Sequence, residues 1–118
     1  MNIDYFVTFG FFDLEEKESI RHYLNSTFGL VFTHRQSDYI GRYLISENNF
    51  FDRCTIEENY VEFLEGYKEE KHSIYKGLVK FSIIEGKQDD KMKRRDQLLL
   101  EINLNYPNLH LIRSSELS

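Results

Sequence analysis

The sequence predicts an α+β fold in which two helices pack on one face of a β-sheet. Three observations lead to this prediction: an alternating apolar pattern early in each half of the chain, a helical pattern after each of them, and a further strand pattern after each helix. A chain of 118 residues is long enough to bury one hydrophobic core and too short for several. We therefore expect a single domain over residues 1–118.

The first half of the pattern is a strand, a helix and a second strand. Apolar and polar positions alternate over residues 3–9, which predicts a strand with one buried face. Asp13, with Glu16 three residues later, is typical of a capping box and predicts the start of a helix. Gly29 suits the left-handed position that follows the last helical turn, and residues 30–35 then resume a strand pattern.

Two turns divide the middle of the chain into a meander. The Ser37–Asp38 turn leads to a predicted strand at residues 39–45, and the Asn48–Asn49 turn leads to a third at residues 50–56. Residues 60–70 fit both a helical stripe and an alternating pattern. We favour a short helix or an irregular edge segment there.

The last part repeats the plan of the first. Residues 74–84 alternate and predict a strand, and Asp89–Asp90 are expected to cap a helix that runs to about Asn105. Pro107 ends that helix because proline lacks the N–H that a helix requires. Residues 109–113 form the final predicted strand.

These elements make two βαβ units with an inserted β-hairpin or meander between them. The leading topology is a ferredoxin-like variant with a mixed or antiparallel sheet. Right-handed crossovers would place both helices on the same face of that sheet.

The negative charge of the chain is concentrated in one segment. The whole chain carries −5, whereas residues 47–70 carry −6, from eight carboxylates and two basic side chains. The same segment holds five aromatic residues: Phe50, Phe51, Tyr60, Phe63 and Tyr67. Because carboxylates steer a basic partner and aromatic rings supply contact area, this segment predicts a protein-binding surface.

An acidic sheet edge also keeps a protein from aggregating, without any partner. That explanation accounts for the carboxylates but not for the rings among them. We assign Phe50 and Phe63 to the core, and Tyr60 and Tyr67 to a partly exposed, hydrogen-bonding role.

The sequence contains no pattern typical of a catalytic or metal site. None of the four histidines has the spacing of zinc ligands. Cys54 has no histidine beside it and lies on an apolar strand face, which indicates a buried structural thiol. Carboxylate pairs such as Glu57–Glu58 serve acid–base catalysis only in a pocket that separates their pKa values. We predict no enzymatic activity, no catalytic residue, no metal and no cofactor.

The basic run Lys91–Arg95 offers an alternative function. It would form a phosphate-binding patch at the start of the second helix, as in a small nucleic-acid-binding domain. The same residues also suit a solvated helix face, where Asp90 and Arg94 make an i,i+4 pair. The net charge of −5 opposes a phosphate backbone, so nucleic acid is not the favoured partner. A small enzyme or ligand-binding domain is the third possibility.

Several features predict a soluble, cytoplasmic protein. The N-terminus lacks the pattern of a secretory signal, and no apolar run approaches the ~20 residues that span a bilayer. A single cysteine allows no intrachain disulfide, which is typical of a reducing compartment. We expect no membrane contact.

Residues 37–44, Ser-Asp-Tyr-Ile-Gly-Arg-Tyr-Leu, resemble the Asp-Tyr-Ile-Gly-x-Tyr strand of small immunity proteins from bacterial contact-dependent growth inhibition and related polymorphic toxin systems. As in those proteins, an acidic segment and an asparagine, here Asn59, follow. The chain is also similar to them in size, α+β pattern and acidity. The resemblance implies a non-enzymatic protein that binds a cognate toxin, often a nuclease with a basic cleft, and blocks its active site.

We therefore predict that a basic toxin domain binds a surface within residues 47–70. Carboxylates on this surface would occupy the place of phosphates, and aromatic rings would fill the cleft between them. The predicted toxin-binding residues are Asp52, Glu57, Glu58, Tyr60, Glu62, Glu65 and Tyr67.

Overall fold

A computed structural model describes residues 2–118, which form a six-stranded sheet, a two-stranded hairpin, two α-helices and two 3₁₀ turns. The strands are β1 (Asp4–Phe11), β2 (Thr33–Ser37), β3 (Gly41–Asn49), β4 (Asp52–Glu58), β5 (Tyr60–Val61), β6 (Gly66–Tyr67), β7 (Gly77–Ile83) and β8 (His110–Leu117). The α-helices are α1 (Lys17–Phe28) and α2 (Gln88–Asn105), and the 3₁₀ turns are Leu14–Glu16 and Glu70–His72.

The large sheet has the strand order β2-β3-β4-β7-β1-β8, and every neighbouring pair is antiparallel. The α+β class is therefore confirmed. The order β4-β7-β1-β8, with a helix after β1 and another after β7, is compatible with the ferredoxin-like variant that the sequence predicts. The strand that follows α1, β2, forms one edge of the sheet, and β3, β4 and β7 lie between it and β1. The β1-α1-β2 segment is therefore not a simple βαβ unit of two neighbouring strands.

Both helices pack on one face of the sheet, as predicted. Their apolar side chains join the alternate positions of the central strands in one buried cluster. That cluster includes Tyr5, Val7, Phe9, Phe11, Ile20, Leu24, Cys54, Ile56, Val79, Phe81, Ile83, Leu98 and Ile102. The helices also contact each other, because the Tyr23 hydroxyl of α1 donates to Glu101 of α2 at 3.0 Å. Burial and the Glu101 carboxylate raise the pKa of Tyr23 to about 12, so this donor keeps its proton at neutral pH.

The helix ends follow local signals in the sequence. Gly29 adopts a φ of 71° after α1, which glycine tolerates at no steric cost, and α2 ends at Asn105 as predicted. The start of α2 differs from the prediction. Lys87 occupies the N-cap position, so Asp89 and Asp90 lie within the first turn, where their charges favour the helix dipole.

Of the two alternatives that the sequence leaves for residues 60–70, a short helix or an irregular edge segment, the short helix is wrong. Tyr60–Val61 and Gly66–Tyr67 pair as a small antiparallel hairpin, with Tyr60 opposite Tyr67. Glu65 has a φ of 51°, a turn conformation that an α-helix does not contain. The apparent helical stripe comes from Tyr60, Phe63, Leu64 and Tyr67, which recur every three or four residues. In the structure Tyr60 and Tyr67 are paired strand residues, and Phe63 and Leu64 lie in the turn between them.

Two predicted core assignments are also wrong. Phe63 is 61% exposed at the tip of the β5–β6 hairpin, and Phe50 is 43% exposed in the β3–β4 turn. Its neighbour Phe51 is the buried ring of this pair, packed at a ring-centroid distance of 5.3 Å from Phe81.

Residues 59–76, here called the excursion, leave β4 and return to β7 across the face of the sheet opposite the helices. Thr55 and Glu57 lie on that face, since the alternate positions of β4 join the core. They are nevertheless buried, as is Thr8 of β1. The central part of the sheet is therefore covered on both faces, although the sequence predicts a β1 strand with only one buried face.

Candidate functional site

Asn59 holds the excursion in shape. It is fully buried, and its side-chain amide donates to the carbonyl oxygens of His72 and Tyr75 at 3.2 and 2.9 Å. Its side-chain oxygen accepts from the Glu69 N–H at 3.0 Å, and its backbone carbonyl accepts from Lys68 N–H at 2.8 Å. One side chain thus satisfies three backbone groups of a loop that has little secondary structure of its own.

Glu57 attaches the excursion to the sheet below it. Its carboxylate accepts from Lys68 Nζ at 2.8 Å and from Thr55 Oγ1 at 2.6 Å, and it lies 3.3 Å from Lys80 Nζ. Burial by itself raises the pKa of the Glu57 carboxyl, but the charges of Lys80 and Lys68 and the hydrogen bonds from Lys68 and Thr55 outweigh that effect. The pKa of Glu57 therefore lies below its ordinary value.

Two contacts fix the other end of the excursion against β8. Glu69 forms an ion pair with Arg113, and the Tyr75 hydroxyl lies 3.0 Å from Nδ1 of His110. The excursion therefore contacts β4, β7 and β8, and these contacts hold the residues on either side of the β5–β6 hairpin in place.

The tip of the β5–β6 hairpin lies beside the β2–β3 turn. The rings of Phe63 and Tyr39 meet edge to face with centroids 5.5 Å apart, and Tyr60 meets Tyr67 similarly at 5.2 Å. Tyr39 is 68% exposed and Tyr60 48%, so part of each ring faces solvent, and the neighbouring Leu64 side chain is 50% exposed. Exposed apolar side chains that lie together in one patch are typical of a protein-binding surface.

Carboxylates surround these rings. Asp38, Glu62 and Glu65 are exposed and form no ion pair within residues 2–118, and Glu58 is paired only with Arg42, at an Nε–Oε2 distance of 3.7 Å. We call this group the two-hairpin surface. It consists of Asp38, Tyr39, Glu58, Tyr60, Glu62, Phe63, Leu64 and Glu65.

An open cavity of about 440 Å³ lies between the two hairpins. Its wall includes Asp38, Glu58, Tyr60, Glu62 and Phe63, so carboxylates and aromatic rings line the same space. A larger open cavity of about 760 Å³ adjoins it between α1 and the β2–β3 hairpin. The residues common to both cavities are Gln36, Arg42 and Glu58.

The structure brings together five of the seven predicted toxin-binding residues. Glu58, Tyr60, Glu62 and Glu65 belong to the two-hairpin surface, and Tyr67 lies against it in the same hairpin. Tyr60 and Tyr67 are partly exposed, as predicted, although neither hydroxyl makes a hydrogen bond in the part of the chain that the structure describes.

Asp52 and Glu57 lie outside this group. Asp52 is at the opposite end of β4, roughly 20 Å away along a strand of seven residues, where its carboxylate accepts from Ile84 N–H at 2.7 Å and Glu85 N–H at 2.8 Å. Glu57 is 4% exposed and is already neutralised by two lysines. Neither carboxylate is free to meet a partner in this conformation.

Four members of the surface are not among the predicted toxin-binding residues: Asp38, Tyr39, Phe63 and Leu64. Asp38 and Tyr39 are more than twenty residues from the β5–β6 hairpin, and only the packing of the two turns unites them. The sequence prediction places Phe63 in the core, because it is one of five aromatic residues in an acidic segment. A hairpin interpretation of residues 60–67, with Gly66 after the turn, is the signal that would have placed it at an exposed tip.

The basic run Lys91–Arg95 does not form an open patch. Lys91 is fully buried, and its Nζ donates to Asn2 Oδ1 at 2.8 Å and Asp4 Oδ1 at 3.1 Å. Arg94 donates to the Phe50 carbonyl at 2.8 Å and also to the Glu85 carbonyl.

Arg95 is likewise committed to contacts within the chain. It lies 4.5 Å above the Tyr5 ring and forms an ion pair with Glu116 at 3.2 Å. The cations of this run therefore serve mainly to attach α2 to its surroundings, and the predicted phosphate-binding patch is not assembled.

Cys54 is completely buried, as predicted. Burial and, to a smaller extent, the Glu57 charge raise the pKa of its thiol well above the usual value, so the reactive thiolate is suppressed. Within residues 2–118, no three side chains of the metal-binding types come together. No helix in this range is both long and apolar enough to cross a membrane. Comparisons with protein-family models, curated proteins and solved structures give no match to the chain.

Proposed function

We propose that this chain is a non-enzymatic, cytoplasmic immunity protein that binds a basic toxin domain and blocks its active site. The observation that carries the proposal is the two-hairpin surface, where exposed aromatic rings lie among four carboxylates. Three of these, Asp38, Glu62 and Glu65, form no ion pair within residues 2–118. The sequence resemblance at residues 37–44 supports the same function. Those residues comprise the end of β2, the β2–β3 turn and the start of β3, and the turn contributes Asp38 and Tyr39 to the surface.

The chemistry of the surface suits a nuclease toxin in particular. A nuclease cleft carries cations that bind phosphates, and carboxylates held at a fixed spacing compete for the same cations. The rings of Tyr39, Tyr60 and Phe63 would supply the desolvated contacts that slow dissociation. The anchoring of the excursion through Asn59 and Glu57 reduces the ordering cost of binding, because the hairpin is already positioned.

The alternative of a nucleic-acid-binding domain is not carried forward. It depends on Lys91–Arg95, and in this conformation Lys91, Arg94 and Arg95 are occupied by contacts within the chain.

Co-expression with the product of the gene immediately upstream tests the proposal. If that product is the toxin, its expression alone should arrest growth, and this chain should restore growth. The triple variant Glu58→Lys, Glu62→Lys, Glu65→Lys should fail to restore it, because the surface would then repel a basic cleft.

A second triple variant provides the matched control. Glu85→Lys, Asp89→Lys and Asp90→Lys change the net charge by the same amount at exposed positions around the start of α2, away from the two-hairpin surface. Lysine at positions 89 and 90 is unfavourable in the first turn of α2, so urea denaturation must first show that this variant is folded. The folded variant should protect as well as the unaltered chain. Full protection by the first triple variant, at equal expression, would rule out the two-hairpin surface as the toxin-binding site.

A further inference from the structure

Among the carboxylates that line the cavity between the two hairpins, Glu58 is the most buried, and it lacks a hydrogen bond. Its side chain is only 23% exposed, yet no donor within residues 2–118 lies at hydrogen-bonding distance. Its single ionic contact, to Arg42, is 3.7 Å long. Glu57, the preceding residue, accepts two hydrogen bonds of 2.8 Å or less. A carboxylate accepts more bonds than Glu58 receives, so its acceptor capacity remains open toward the cavity.

Arg42 occupies the only basic position in the wall of that cavity. Its side chain is 77% exposed, so the guanidinium keeps most of its hydration while it faces Glu58. An exposed ion pair of this length contributes little to stability. The Arg42 side chain can therefore turn into solvent at little cost and leave Glu58 to another cation.

The remaining wall suits a planar cation better than a spherical one. The aromatic residues Tyr60 and Phe63 line the cavity, and so do the acidic residues Asp38 and Glu62. A guanidinium stacks on aromatic rings and bonds a carboxylate through two parallel N–H groups. A lysine ammonium lacks the planar fork and holds its hydration more strongly.

We propose that this cavity receives an arginine side chain of the partner, which takes the place of Arg42 at Glu58. The inference rests on the proposed function for its biological partner, but its chemistry is tested without the toxin. Arg42 then acts as an internal competitor, which keeps Glu58 neutralised until an arginine arrives with the support of the surrounding rings.

Titration with two fluorescein-labelled peptides, octa-arginine and octa-lysine, tests the cavity by fluorescence anisotropy. The unaltered chain should bind octa-arginine more tightly than octa-lysine. The variant Arg42→Gln should tighten octa-arginine binding by roughly fivefold, because the competitor is removed, and Glu58→Gln should weaken it by a similar factor.

The variant Arg35→Gln is the matched control. Arg35 lies in the same hairpin, makes a similar exposed ion pair with Glu47 at 3.6 Å, and does not line the smaller cavity. It changes the net charge as Arg42→Gln does, so it measures the general electrostatic effect. Its effect on octa-arginine binding should be much smaller than that of Arg42→Gln.

Equal effects of Arg42→Gln and Arg35→Gln would overturn the inference, and so would equal binding of the two peptides. Absence of octa-arginine binding to every form of the chain would overturn it as well. None of these results touches the proposed function, which depends on toxin protection by the charge-reversed variants. If the charge-reversed variant still protected against the toxin while the peptide results were as expected, the toxin-binding role of this surface would be rejected and the arginine site would stand.

Discussion

At the scale of single residues, Glu57 and Glu58 show how adjacent carboxylates acquire different roles. Side chains alternate along β4, so the two residues point to opposite faces of the sheet. Glu57 lies beneath the excursion with Lys68 and Lys80, whereas Glu58 faces the cavity between the hairpins. One of them stabilises the fold, and the other is available for binding.

The lowered pKa of Glu57 predicts a pH-dependent contribution to stability. An unfolded glutamate titrates at about 4.3. Because the folded pKa is lower, the contribution is fully present above that value and is lost as the pH falls through the folded pKa. The variant Glu57→Gln should lower the free energy of unfolding by about 3 kcal/mol at pH 7, and by less at pH 3. Urea denaturation at both pH values measures this difference.

Glu58→Gln is the control for this measurement. Its side chain has one weak ionic contact, so the free energy of unfolding should change by about 0.5 kcal/mol or less at either pH. If Glu57→Gln gave the same small change at pH 7, the Glu57 network would not stabilise the excursion as described.

At the scale of elements, the excursion depends on one buried side chain more than on its own hairpin. Two strands of two residues each are too short to be stable by themselves. The Asn59 side chain adds hydrogen bonds to backbone groups of His72, Tyr75 and Glu69, and these bonds stabilise the excursion where the two short strands make few of their own. The position of the exposed rings is therefore set by a residue that no partner can touch.

The variant Asn59→Ala should loosen the excursion selectively. We expect amide hydrogen exchange over residues 60–72 to become about tenfold faster or more, with a loss of about 2 kcal/mol in global stability. Toxin protection should also weaken, although Asn59 is fully buried, because the rings lose their fixed spacing.

Asn49→Ala serves as the matched control for exchange. Asn49 also bonds three groups of its own turn, through the Ser46 carbonyl, the Ser46 hydroxyl and the Phe51 N–H. That turn is at the other end of β4, so this variant should speed exchange there and leave residues 60–72 unchanged. Equal exchange over residues 60–72 in the two variants would contradict the role given to Asn59.

At the scale of the whole molecule, the charge is distributed unevenly over a body of about 39 × 29 × 25 Å. Residues 47–70 carry a net charge of −6 and the whole chain carries −5, so the rest of the chain is close to neutral. Within that segment, Glu57 is neutralised internally, and Glu58, Glu62 and Glu65 remain near the exposed rings. Carboxylates without an internal ion pair, among them Glu62 and Glu65, therefore lie on the same surface as the exposed aromatic rings.

This distribution predicts a salt-dependent association rate with the toxin. Between about 50 mM and about 500 mM salt, the rate constant should fall by about tenfold or more, while the dissociation rate changes little. Stopped-flow fluorescence with the toxin domain measures both constants. The Glu58, Glu62 and Glu65 reversal should abolish the dependence, and a salt-independent rate in the unaltered chain would contradict electrostatic steering.

Local patterns account for the parts of the fold that the sequence predicts correctly. The helix end at Gly29 follows from a residue that tolerates a positive φ, and the burial of Cys54 follows from alternation along an apolar strand. The strand boundaries shift by a few residues, since β2 begins at Thr33 rather than residue 30 and β8 continues to Leu117. Such ends depend on which neighbour supplies the ladder hydrogen bonds, and that neighbour is distant in sequence.

The sequence by itself determined the α+β class, the two helices on one face and the concentration of negative charge in one segment, because periodicity, caps and composition act over short distances. Only the tertiary structure decided which charges remain available. It buried Glu57 under the excursion, occupied Lys91 and Arg94 with contacts inside the chain, and placed Tyr39 beside Phe63. The physical reason is that burial and ion pairing depend on which distant segments pack together, and residue order along the chain does not specify those neighbours.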